Sequence, residues 1–125
     1  MKNILFASIA LAAAVAAYAV DAKAPAAPVR EFKSVNIEVK GNKIWTPSFF
    51  VVKKGDKVKI TLINTADSGV HAFSIEGIPG TEASVDNKEG ANTKTVEFTA
   101  QTPGIFRIYC PIHPGHVGGQ LLVLE

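Results

Sequence analysis

The sequence predicts an all-β protein, a Greek-key β-sandwich or barrel, and three observations support this fold class. Several segments alternate between apolar and polar residues with a period of two, as strands with one buried face do. Gly, Pro, Asn and Asp separate these segments at short intervals. No helical pattern of any length follows the N-terminal apolar run. About seven short strands are therefore expected.

The first element, residues 1–19, has the pattern of a secretory signal peptide. Lys2 supplies the positive charge, an alanine-rich apolar run extends from Ile4 to Val15, and Ala17-Tyr18-Ala19 fits the cleavage rule. A membrane anchor is the alternative, because the apolar run reaches Val20. Since no stop-transfer cluster follows, cleavage is favoured. We expect export to a periplasm, without stable membrane association after cleavage.

The remainder of the chain is expected to be one domain with a short leader. Residues 20–31 are rich in Ala and Pro and are predicted to be a flexible segment. Residues 32–125 are enough for a single core. Without Lys2, twelve basic and eleven acidic side chains remain. This near-neutral balance gives no support for nucleic-acid binding.

The predicted strands of this domain are separated by turn residues. The clearest alternation is Val58, Ile60 and Leu62, which follows a Lys-Lys-Gly-Asp turn at residues 53–56. The long stretch from Gly77 to Thr93 is interpreted as an extended surface connection, with a short helix as the alternative. The strands are placed at residues 35–39, 58–62, 70–75, 95–99, 105–110 and 121–124.

The most informative segment is Cys110-Pro-Ile-His113-Pro-Gly-His116, between the last two predicted strands. It contains the only cysteine and two of the three histidines. One thiolate and two imidazoles suit copper or zinc better than calcium or magnesium. In an exported protein a lone cysteine is an intermolecular link, an inert buried thiol or a metal ligand. The adjacent histidines favour the metal, although His116 could instead be a solvent-exposed neighbour.

The third histidine, His71, lies in the predicted strand at residues 70–75. Strict alternation places it on one face with Phe73 and Ile75, so it is predicted to point inward and complete the site. The alternative is a core histidine held by hydrogen bonds. Trp45 and Tyr109 are assigned to packing only.

Residues 49–125 resemble the cupredoxin family of copper proteins. The resemblance rests on Val51-Val-Lys-Lys-Gly-Asp56, on His71, on the strand at 104–110, and on the loop with its Cys-x2-His spacing. It implies a cupredoxin-type fold, with copper as the cofactor.

The resemblance also implies a ligand set. By position, His71, Cys110 and His113 correspond to the family's trigonal ligands. His116 stands where the family usually has an axial methionine, and no methionine follows Met1. The expected site is one Cu(I)/Cu(II) ion per chain with one cysteine and three histidine ligands.

Within that family the sequence is most similar to the nitrosocyanin group of red copper proteins. The similarity lies in residues 51–58, 73–75 and 93–100, and in a second histidine in the ligand loop. That group has a glutamate where this chain has His71, so its oxygen ligand and open coordination position do not carry over. Whether the chain forms a homo-oligomer is left open by the sequence.

The expected function is one-electron transfer between transient periplasmic redox partners, so an electron carrier is favoured over an enzyme. The imidazole edge of His113, in an apolar loop, would be the exit for the electron. Three alternatives stay open: copper chemistry on a nitrogen oxide or reduced oxygen species, copper storage or delivery, and a structural zinc site.

Overall fold

The computed structural model of the protein describes residues 25–125, so the predicted signal peptide at residues 1–19 lies outside the described residues. Within residues 25–125 the chain forms strands and no helix, which confirms the all-β prediction. The strands are β1 (Val29–Val39), β2 (Asn42–Thr46), β3 (Phe49–Lys53), β4 (Lys57–Asn64), β5 (His71–Ile75), β6 (Ala83–Val85), β7 (Thr93–Thr99), β8 (Gly104–Tyr109) and β9 (Gly119–Leu124).

The strands form two sheets. One sheet has the order β2-β1-β4-β7, and the other has the order β3-β9-β8-β5-β6. The β1–β4 and β3–β9 pairs are parallel, and the other pairs are antiparallel. Only Pro47 and Ser48 separate β2 from β3, so the chain crosses from one sheet to the other at this point.

The core lies between the two sheets. In β4 every second residue is buried, and the series ends with the polar Asn64. The first three buried residues are the apolar Val58, Ile60 and Leu62. They belong to one cluster with Phe50 of β3 and Leu121 of β9. The apolar residues of the alternating pattern therefore form the inner face of the sandwich.

The N-terminal boundary of the domain differs from the prediction. β1 begins at Val29, and residues 29–31 pair with residues 57–59 of β4, so the domain boundary moves from residue 32 to residue 29. Arg30 also donates a hydrogen bond of 3.0 Å to the buried carboxylate of Asp56. The Lys53 amide, and after it Arg30, lower the pKa of Asp56, although burial opposes them.

The segment from Gly77 to Thr93 also differs from the prediction. It contains β6, which pairs with β5, and Val85 and Thr81 within it are fully buried. The Thr81 hydroxyl accepts a hydrogen bond of 3.0 Å from the Ile75 amide. The segment therefore completes the edge of the second sheet and is not solely a surface connection. Over residues 25–125 no helix is long and apolar enough to cross a membrane.

Candidate metal centre

His71 is positioned by the connection between β4 and β5. The buried side chain of Asn64 donates to the carbonyls of Gly69 (2.8 Å) and Val85 (2.9 Å) and accepts a bond of 3.1 Å from the Ala66 amide. These three bonds hold the β4–β5 connection in place and link Asn64 to Val85, the last residue of β6. The chain therefore enters β5 at a fixed place, with His71 as the first residue of the strand.

Cys110 directly follows β8 and is tied to β5. The amide of Ala72 donates to the Cys110 sulfur at 3.4 Å, and the carbonyl of Ala72 accepts a bond of 3.0 Å from the indole of Trp45. Trp45 also packs edge-on against Phe73, with ring centroids 5.9 Å apart. Trp45 thus positions the strand that carries His71, a role the sequence analysis missed. The signal available was its indole N–H, which needs an acceptor when buried.

The ligand loop consists of two successive turns. The His113 amide donates to the Cys110 carbonyl at 3.3 Å, and the His116 amide donates to the His113 carbonyl at 3.0 Å. Each turn advances the chain by three residues, which is also the spacing of the candidate ligands. The two turns therefore bring Cys110, His113 and His116 to one side of the loop.

The end of the loop is held against the crossing between the two sheets. Val117 forms a β-bridge with Ile44 of β2, and the Gln120 amide donates to the Ser48 carbonyl at 2.8 Å. A Cβ at Gly119 would overlap that carbonyl, so only glycine fits there. The loop is thus fixed at both ends by neighbouring strands.

These elements bring all four predicted side chains together. One ligand atom from each of His71, Cys110, His113 and His116 lies within 4.8 Å of the others. The Cys110 sulfur is 3.6 Å from Nδ1 of His113. Sulfur and nitrogen donors bound to one ion at about 2.3 and 2.0 Å are about 3.5–3.7 Å apart at tetrahedral or trigonal angles. The observed separation therefore fits two ligands of one metal ion.

Several ring nitrogens in the cluster have no protein partner. Both nitrogens of His71, which is 1% exposed, and Nδ1 of His116 are buried without a hydrogen bond. A buried polar atom left unpaired costs about 1–3 kcal/mol. A core histidine held by hydrogen bonds is therefore not what the structure has at position 71. A metal ion with affinity for nitrogen and sulfur accounts for these atoms.

The protonation of the cluster also suits a metal. Burial lowers the pKa of His71, and the neighbouring imidazoles of His116 and His113 and the ammonium of Lys43 lower it further. The Ser68 carbonyl opposes this effect, but its contact lacks the geometry of a hydrogen bond. Burial, then His113 and Lys43, lower the pKa of His116. Both rings are therefore neutral at neutral pH, which is the form that binds metals.

The burial of His71 did not follow from alternation alone. All five residues of β5 are buried, so both faces of this strand are covered. The direction of the His71 side chain is seen instead from its position close to Cys110, His113 and His116.

Exposed apolar residues adjoin the histidines of the cluster in the chain, and we call them the apolar rim. Val70, Ile112 and Val117 are exposed, and each adjoins one of the three histidines in the chain. His113 and His116 are themselves partly exposed. The cluster therefore has two buried residues, His71 and Cys110, and two that reach the surface.

A comparison with protein families and curated proteins gives one match. A family model described as a cupredoxin-like domain matches residues 7–123. No curated protein matches the chain.

Solved structures of copper proteins resemble this chain. Copper nitrite reductase from Nitrosomonas europaea is 24% identical with a TM-score of 0.59, over 77% of this chain and 41% of the reductase. Auracyanin from Roseiflexus castenholzii is 20% identical with a TM-score of 0.57, over 76% of this chain and 97% of auracyanin. A copper-containing nitrite reductase from Thermus scotoductus is 25% identical with a TM-score of 0.58, over 77% of this chain and 28% of that protein. The chain thus spans less than half the length of either reductase and nearly all of auracyanin.

Proposed function

Because the chain belongs to the cupredoxin family, we propose that it is an exported mononuclear copper protein that transfers single electrons between redox partners in the periplasm. One observation carries the proposal, the convergence of one thiol and three imidazoles within 4.8 Å. The buried ring nitrogens of His71, which have no hydrogen-bond partner, also support the proposal.

In this proposal His71, Cys110, His113 and His116 would hold the copper ion, each through one ligand atom. A thiolate with imidazoles is a donor set that copper favours. The bound copper supplies the redox chemistry, since it changes between Cu(I) and Cu(II) by one electron. The chain's own part is to hold these donors in one arrangement in both states.

The contacts around the cluster favour such rigidity. Ala72, which follows His71 in β5, links that strand to Cys110 and to Trp45. Its amide donates to the Cys110 sulfur, and its carbonyl accepts a hydrogen bond from the Trp45 indole. The N–H donor at the sulfur also draws charge from the thiolate, which favours the lower-charged Cu(I) state and raises the reduction potential. Little would then have to move when an electron arrives or leaves.

The proposed route to a partner is the exposed edge of the His113 ring. Ile112, next to His113 in the chain, and Val117, next to His116, are exposed apolar residues of the same loop. A small apolar contact suits partners that bind briefly and dissociate. Periplasmic redox proteins are the proposed partners.

A second candidate is copper chemistry on a small nitrogen oxide or reduced oxygen species, which is what the sequence resemblance to the nitrosocyanin group would imply. That chemistry needs an open coordination position. Nδ1 of His116 is buried without a partner, so its ring is available to fill the fourth position. Electron transfer is therefore preferred.

The test is to measure the metal content of the purified protein together with its visible and electron-paramagnetic spectra. We expect one copper per chain and an intense thiolate-to-copper band that is lost in Cys110→Ser. Ile112→Ala, in the same loop, is the matched control and should keep the band. Zinc instead of copper would overturn the proposal, and a stable azide or nitric oxide adduct would favour the second candidate.

A further inference from the structure

Lys43 of β2 lies at the end of the sandwich where the candidate ligands meet. Side chains two residues apart in a strand point to the same side of a sheet, so Lys43 faces the same way as Trp45. Trp45 is buried in the core and donates to the carbonyl of Ala72, the residue after His71. The side chain of Lys43 is therefore on the inner side of its sheet, the side that faces the cluster.

The contact between β2 and the ligand loop also places Lys43 beside the cluster. Ile44 forms a parallel β-bridge with Val117. The residues that precede them, Lys43 in β2 and His116 in the loop, are therefore neighbours across this bridge. Only 19% of the Lys43 side chain is exposed. Its charge is thus close to the cluster and only partly screened by water.

Two contacts hold the Lys43 ammonium in place. Glu38 is directly opposite Lys43 in the β1–β2 pair, and its Oε1 is 3.4 Å from Nζ of Lys43. Nζ also donates to the Gly41 carbonyl at 3.3 Å. The Glu38 side chain is 32% exposed, more than that of Lys43, so water screens its charge more. Glu38 therefore fixes the ammonium but neutralises it only in part at the cluster.

The effect of this charge extends to two of the candidate ligands. Burial is the largest cause of the lowered pKa of His71 and of His116, and Lys43 contributes to the lowering of both. A fixed ammonium that opposes a proton on these rings also opposes any other positive charge added at the same place. The charge of a bound metal ion is such an addition.

We propose that Lys43 determines the charge preference of the metal centre, so that the site favours Cu(I) over the divalent ions Cu(II) and Zn(II). This role rests on the proposed function, because copper is taken as the metal of the site. A monovalent ion bound by the Cys110 thiolate and neutral imidazoles leaves no net charge, whereas a divalent ion leaves one positive charge. The Lys43 ammonium repels only the second state. It thereby raises the reduction potential of copper and weakens the binding of zinc.

The first experiment measures the copper reduction potential of the full chain and its variants. Lys43→Gln removes the charge and should shift the Cu(I)/Cu(II) equilibrium about three- to tenfold towards Cu(II), which lowers the potential by about 30–60 mV. Lys43→Arg keeps the charge and should keep the potential. An unchanged potential in Lys43→Gln, or an equal fall in Lys43→Arg, overturns the proposal.

Lys59→Gln is the matched control. Lys59 also pairs with a glutamate of β1, since its Nζ is 3.6 Å from Oε1 of Glu31. It lies in β4, roughly 17 Å along the strand from Asn64, which holds the connection to His71. That separation exceeds the screening length of about 10 Å. Lys59→Gln should leave the potential unchanged, and a fall equal to that of Lys43→Gln overturns the proposal.

Competition binding of Zn(II) to the metal-free chain tests the same charge without copper. Lys43→Gln should bind zinc about three- to tenfold more tightly, and Glu38→Gln, which removes the opposing carboxylate, should bind it more weakly. Equal zinc affinity in Lys43→Gln and the wild type, or tighter binding in both variants, overturns the role of Lys43. A wild type that lacks the thiolate-to-copper band would overturn the proposed function instead, and the zinc affinities would still report on Lys43.

Discussion

Replacing His71 with leucine should make the metal-free protein more stable while removing its high affinity for copper. Leucine is apolar and of similar size, and His71 is 1% exposed with both ring nitrogens unpaired. The substitution therefore removes two polar atoms that the fold buries without compensation, and it keeps most of the volume.

The expected gain in stability follows from removing the two unpaired ring nitrogens of His71. Each unpaired buried group costs about 1–3 kcal/mol, and the different shape of leucine costs up to about 1.5 kcal/mol. We expect the free energy of unfolding of the metal-free chain to rise by about 1–4 kcal/mol.

The same substitution should also change how the stability of the metal-free protein depends on pH. The pKa of His71 is lowered from its ordinary value of 6.5, so below pH 6.5 the unfolded chain binds more protons than the folded chain. The stability of the metal-free protein is therefore complete above this pH and is lost as the pH falls towards the folded-state pKa. One such group contributes a slope of at most about 1.4 kcal/mol per pH unit. His71→Leu should remove this contribution.

The assay is urea unfolding of the metal-free wild type and His71→Leu at pH 8 and pH 5.5. The fluorescence of Trp45, which is buried, reports unfolding. Adding copper in thousandfold excess over its dissociation constant should stabilise the wild type by about 4 kcal/mol. The variant should gain much less.

Two results would refute this reasoning. If metal-free His71→Leu is less stable than the wild type at both pH values, the ring nitrogens of His71 have partners within the protein. If copper stabilises the variant as much as the wild type, His71 is not a ligand.

Three further substitutions test the cluster and its supports. His116→Met should give a bluer and more easily reduced copper site, because a thioether is a weaker donor to Cu(II) than an imidazole; an unchanged spectrum and potential would mean that His116 does not bind. Trp45→Phe should lower the free energy of unfolding by about 1–3 kcal/mol through loss of the bond to the Ala72 carbonyl, and a loss below 0.5 kcal/mol in urea unfolding would contradict that role. Gly119→Ala should destabilise the protein or shift its copper spectrum, because the added Cβ meets backbone, whereas Gly115→Ala, with open space around it, should have little effect.

The sequence by itself determined the class of fold and the candidate donors of the metal site. Alternation in β4 marks the buried face, because side chains of a strand point alternately to its two sides. The spacing of Cys110, His113 and His116 predicted one ligand loop, since turns are local and depend on neighbouring residues. These features need no contact between distant parts of the chain.

Sequence patterns were less informative where packing covers both faces or where strands are short. β3 and β9 are apolar on both sides, and β5 is buried throughout, so alternation does not separate inside from outside there. β6 has only three residues within a stretch of turn-forming residues, and its pairing with β5 decides that it is a strand.

Only the tertiary structure decided how His71 meets the ligand loop. The β5–β8 pairing brings the two segments together, and Asn64 and Trp45 fix them there from other strands. These contacts join residues far apart in sequence, and no local pattern encodes them. The unpaired nitrogens of His71 likewise exist only because the whole fold excludes water and protein partners from that place.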